Sequence, residues 1–113
     1  MKPQIITVQE VRSYFNDLIP TLHKNDYFGF EDGARKYVKD LFNDIKQNLP
    51  NKLRKPSPKH FEKYGKNIYY ASFKKSKHTT WYVFFTIHYD EINDIQIFLI
   101  RYISNNHMIS KYL

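Results

Sequence analysis

Ser72–Phe85 reads SFKKSKHTTWYVFF. Three lysines and a histidine stand within five positions, and a run of large, mostly aromatic side chains follows almost at once. Aromatic and β-branched residues pack well on a pleated surface, so the second half of the stretch predicts a strand. The polar residues before it predict a tight connection from a preceding strand. Working outward, strands are expected at 68–73, 80–89 and 95–103, joined by KKSKHT and DEIND into an antiparallel meander. The second and third are apolar on both faces, so both sides of the sheet need at least partial cover, with Trp81, Val83, Phe85 and Ile87 near the middle.

The cover comes from the first half of the chain. Gln4–Thr7 suggests a short first strand, and Thr7 with Glu10 has the spacing of a capping box. Val8, Val11, Phe15, Leu18 and Leu22 then recur at helical spacing, and Pro20 is expected to end or kink that helix near Ile19. KNDYFGFEDG reads as a loop. A second helix from about Glu31 carries the stripe Ala34, Tyr37, Val38, Leu41, Phe42, Ile45 and Leu49, and Pro50 stops it. The segment NKLRKPSPKHFEKYGKN reads as an irregular crossover anchored by Leu53, Phe61 and Tyr64. In the closing SNNHMISKYL, Met108, Ile109 and Leu113 are candidates to dock on the core. The expectation is one α+β domain over residues 1–113: an N-terminal helical hairpin packed on a small antiparallel sheet, in the order (β)ααβββ.

Composition narrows the function. The 113 residues suit a single modest core. The absence of cysteine excludes disulfides and thiolate metal sites, and no His-x-x-x-His pair or carboxylate cluster gathers a metal. No apolar run approaches the length needed to span a bilayer, and no signal-like stretch opens the chain, so a cytoplasmic protein without cofactor or membrane partner is expected. The net charge of +7 is unevenly placed. Residues 1–50 carry seven basic and seven acidic side chains, while residues 51–113 carry eleven and four. That asymmetry points to one basic face and an anionic partner, set against the plainer reading of a solvated basic surface.

The reactive inventory is lysine, arginine, histidine and tyrosine, with no phosphate loop and no nucleophile elbow. It suits metal-free RNA cleavage, in which the 2′-hydroxyl attacks the adjacent phosphate. The protein then has only to move protons and stabilise charge. Arg101 stands on an apolar strand, where alternation puts it with Ile97, Leu99 and Ile103. An unpartnered buried guanidinium is costly, so Arg101 is either an ion-pair partner of Glu62 or Asp94 or a phosphate grip at the mouth of a cleft. His107, which the Asn105-Asn106 turn can aim, is the natural acid/base candidate, with His78 a second and Tyr112 a substitute or assistant. Lys74, Lys75 and Lys77 are candidate phosphate grips, significant as a cluster rather than singly.

The sum of KPSPKHFEKYGKNIYYASFKK, TTWYVFF and IRYISNNHMISKYL, set after a helical hairpin in a small basic chain, resembles the RelE/ParE superfamily of toxins from bacterial type II toxin–antitoxin systems, and its RelE-like subgroup in particular. The resemblance implies an mRNA endoribonuclease acting in the ribosome and neutralised by a cognate antitoxin, with a homodimer or a toxin–antitoxin hetero-oligomer as the alternatives. It implies catalytic roles for Arg101, His107, Lys77 and Tyr112, and RNA contacts from Lys52, Arg54, Lys55, Lys74, Lys75 and His78. The ParE branch implies a different target, DNA gyrase, and a non-catalytic nucleic-acid or ribosome-binding module is the third reading.

Overall fold

The computed structural model describes residues 1–24 and 31–113. The expected loop at 24–33 falls largely outside them, as does the side chain of Leu22. The elements are β1 (Lys2–Thr7), α1 (Gln9–Lys24), α2 (Glu31–Asn48), the two-residue β2 (Lys55–Pro56), β3 (Tyr69–Lys74), β4 (Thr80–Asp90), β5 (Ile95–Asn105) and α3 (Asn106–Ile109). They form an α+β fold around one five-stranded sheet of order β1-β5-β4-β3-β2. The expectation of an all-antiparallel sheet is corrected. β1 runs parallel to β5, with Lys2 opposite Ile95 and Thr7 opposite Ile100, so the sheet is mixed. The aromatic run of the opening stretch is β4, the central strand.

Two local expectations give way to packing. Thr7 belongs to β1, and α1 begins at Gln9 with the Val8 carbonyl accepting from Val11 and Arg12 N–H, so the expected capping box does not form. Pro20 lies inside α1 without ending it. Its missing N–H costs one helical hydrogen bond, but Val11, Phe15 and Leu18 are buried on the sheet and hold the helix in register, and the Thr21 hydroxyl donates to the Asp17 carbonyl at 2.8 Å.

Both faces of the sheet are cores. On one, Phe15 and Leu18 of α1 and Val38, Leu41 and Ile45 of α2 pack on Phe73, Trp81, Val83, Phe85, Phe98 and Ile100. The other face is covered from outside the helical hairpin. There the crossover and chain end bring Phe61 and Ile109 onto Phe84 and Ile68, rimmed by Tyr64, Tyr70, Tyr82, Tyr102 and Tyr112. Of the three terminal docking candidates only Ile109 is buried; Met108 and Leu113 are exposed. Lys75, in the β3–β4 turn, pairs with Asp44 of α2 at 2.7 Å and ties that turn to the helical layer. Burial opposes ionisation of Asp44, but hydrogen bonds from Lys75 and Asn48 outweigh it and hold its pKa below the usual carboxylate value.

Candidate nucleic-acid interface

β1 stops pairing where the chain turns into α1: Val8 N–H donates to the Ile100 carbonyl, and β5 continues alone on that side from Arg101 to Asn105. All five of those residues line one open groove of about 970 Å³. Its other walls are Tyr14 and Glu10 of α1, Tyr37 of α2, Lys63 and Tyr64 of the crossover, and Thr79 of the β3–β4 turn, with His107 and Met108 at the end of β5. Aromatic faces and cations therefore share one surface, which is the composition that binds a single-stranded nucleic acid by stacking and phosphate contact.

Arg101 enters the groove through a β-bulge. Phe84 stands opposite Tyr102 and Phe85 opposite Ile100, which leaves Arg101 without a cross-strand partner. Alternation is broken there, so Ile103 turns to the helix-side core while Arg101 shares a face with Thr86. Its Nε donates to Thr86 Oγ1 at 2.9 Å. Neither expected ion pair forms, and no described carboxylate lies within ion-pair distance of its guanidinium; Asp94 instead faces the N-terminal ammonium.

The tripeptide Asn105-Asn106-His107 divides three tasks. The Asn105 side chain accepts from His107 N–H at 3.0 Å and caps α3. The Asn106 amide clamps the β3–β4 turn, accepting from Thr80 N–H at 2.9 Å and donating to the His78 carbonyl at 3.0 Å. The imidazole is left at the groove with Nε2 3.1 Å from Thr79 Oγ1. His107 is thus aimed from both its own strand and the neighbouring hairpin.

No protein-family model, curated protein or solved structure matches the chain.

The remaining candidates are distributed more widely. Lys74 is exposed at the end of β3, Lys77 and His78 are exposed on the β3–β4 turn, and Lys75 is engaged by Asp44. Tyr112 stacks on His60 at 3.6 Å and does not line the groove. Lys52 lies over the Phe73 ring at 4.7 Å and Arg54 over Tyr69 at 5.5 Å. With Lys55, Lys52 borders a smaller depression of about 430 Å³ toward the β2 edge, at the far side of the sheet from the groove. Of the candidates, Arg101 and His107 line the groove, and the others lie outside it.

Among the groove residues, the sequence does not mark Tyr14, Lys63 and Tyr64 as site residues, and Tyr64 is expected only as an anchor of the crossover. Tyr64 and Tyr102 stack at 4.1 Å with 7° between their planes. Burial, then the neighbouring Tyr102, raises the Tyr64 pKa. Lys63 adds a cation beside them. Tyr14 sits against Trp81 at 6.4 Å, and burial first, then Tyr102 and Tyr37, pushes its pKa from 10.0 up to about 12. Tyr14 is accordingly a neutral phenol at physiological pH and cannot be a general base. The raised pKa also fixes a sign. Stability from keeping Tyr14 neutral is complete below pH 10 and is lost as pH rises towards about 12, because the unfolded chain ionises first. Tyr14→Phe should flatten the stability curve across that window in an alkaline denaturation series; an unchanged curve would mean the phenol is not shielded.

Proposed function

We propose that the protein is the toxin of a type II toxin–antitoxin system, a metal-free mRNA endoribonuclease of RelE-like type that acts in the ribosome. The observation that supports this reading is the convergence of Arg101 and His107, six positions apart and separated by a bulge and a helix cap, on one aromatic groove. In the proposed reaction the RNA 2′-oxygen attacks the adjacent phosphorus. A 2′,3′-cyclic phosphate forms, and the bond to the 5′-oxygen of the next nucleotide breaks. His107 takes the proton from the 2′-hydroxyl. The Arg101 guanidinium carries the charge gathering on the two non-bridging oxygens. Lys63 adds positive charge on the same groove, and a proton returns to the departing 5′-oxygen from its ammonium or from water. Tyr64 and Tyr102 offer ring faces to unpaired bases. The basic second half of the chain supplies phosphate affinity without sequence choice.

A mostly apolar groove carrying Lys63 and Arg101, in a chain of net charge +7, suits inhibition by an acidic, partly disordered antitoxin that covers it. The test adds purified protein to a translation reaction and maps RNA ends. Cuts with 2′,3′-cyclic phosphate termini, suppressed by the antitoxin encoded beside this gene, are expected. Intact RNA with and without ribosomes overturns the reading, and inhibition of gyrase supercoiling by the same preparation would replace it with the ParE-like one.

A further inference from the structure

Arg101 is held more closely than a surface arginine needs to be. The bulge leaves it without a cross-strand partner on the face of Leu99 and Thr86. Thr86, 5% exposed and one of two buried polar side chains among the described residues, accepts from its Nε at 2.9 Å. Thr86 Oγ1 also lies 2.8 Å from His88 Nε2. A hydroxyl has two lone pairs, so whichever way the proton lies between Thr86 and His88, one remains for Arg101. Gly65 closes the remaining side. A Cβ at that position would stand 3.1 Å from Arg101 Cδ and 3.2 Å from Nε, and the backbone there has φ +152°, which other residues rarely adopt. Only Nη1 and Nη2 are left without a hydrogen bond to a described residue, and the side chain lines the groove.

We infer that Thr86 is the positioning residue that makes Arg101 an end-on clamp for a phosphodiester: it ties Nε, so that the two terminal nitrogens meet the two non-bridging oxygens of one phosphate. The inference rests on the reading of the groove as the seat of an RNA backbone. A guanidinium offers its N–H groups in one plane, and a bidentate grip loses its geometric advantage when that plane is free to rotate. A hydrogen bond at Nε stops the rotation without occupying the gripping atoms. Thr86 touches no substrate itself. Gly65 serves the same end by leaving room for the guanidinium stem.

Thr86→Val removes the hydroxyl at nearly constant volume on a strand, and Thr86→Ser restores it. Three measurements are made on the full chain: the melting temperature, the Arg101 Nε–H resonance (assigned by its loss in Arg101→Lys), and binding of an all-deoxy oligonucleotide that cannot be cut. In wild type and Thr86→Ser the Nε–H should be resolved and slow to exchange with water, and it should shift when the oligonucleotide binds. In Thr86→Val exchange should quicken at least tenfold, oligonucleotide affinity should fall about tenfold, and kcat for RNA should fall by a similar factor with Thr86→Ser rescuing all three. If Thr86→Val does not fold, the smaller Thr86→Ala is read in the same way. Protection and affinity within twofold of wild type in a folded variant overturn the inference. A wild type that cuts no RNA, yet binds the deoxy strand in a Thr86-dependent manner, removes the enzymatic reading and keeps the clamp.

Discussion

Arg101→Ala should lower RNA cleavage by two orders of magnitude or more in a protein that stays folded. One preorganised charge contact to a transition-state phosphate is worth roughly 3 kcal/mol, which is a factor of about a hundred or more in rate. The structural cost is much smaller. The side chain is half-buried, it has no carboxylate partner among the described residues, and its one hydrogen bond goes to Thr86. Losing a neutral acceptor's hydrogen bond costs about 1 kcal/mol, against several for breaking a buried ion pair. Melting temperature and cleavage measured on one preparation separate the two effects. Full activity in a folded Arg101→Ala would take this arginine out of the mechanism. A loss of several kcal/mol in stability would make it a structural residue.

Phe84→Ala should cost about 3–5 kcal/mol, the range for emptying a large aromatic site in a well-packed core. Phe84 is 0% exposed on the face away from the helices. Its ring lies 4.3 Å from Phe61, 5.6 Å from Tyr70 and 5.6 Å from Tyr102. Those partners come from the crossover, β3 and β5, so no single neighbour can relax into the vacancy. For a domain whose total stability is on the order of 5–15 kcal/mol, the loss would leave a visibly unfolded fraction. Urea denaturation measures it. A change below about 1 kcal/mol would show that this face is a solvated surface with rings laid on it rather than a second core.

The sequence made the helix-side core legible because its signals are local. The stripe 34–49 recurs every three or four residues, and the apolar run of β4 is continuous, so both elements lie within a residue or two of their expected bounds. The second core was not legible. Phe61, Ile68, Phe84 and Ile109 come from four separate segments, and no periodicity joins them. The bulge at Arg101 was hidden for a similar reason, since it depends on the register between two strands rather than on either alone. That one shift moved Ile103 to the opposite face from Arg101. His107 was singled out from its residue type and its asparagine neighbours, and it lines the groove. Lys63 and Tyr64 were overlooked as site residues because a proline- and lysine-rich crossover gives no sign of the wall it will form. Lys75 shows the reverse error: a lysine in a basic cluster proved to be neutralised by an aspartate thirty-one positions away.

The parallel pairing of β1 with β5 sets an order on the birth of the molecule. Lys2 finds its partner at Ile95, so β1 leaves the ribosome well before the strand it pairs with. Closing so long a loop carries a large entropic cost before any contact is rewarded, and such topologies assemble late and slowly. The groove inherits this delay, because Tyr14 on one wall and His107 on the other belong to opposite ends of the chain. A nascent chain can form the α2 helix and the β3–β4 hairpin early, but it holds no groove until synthesis has reached α3.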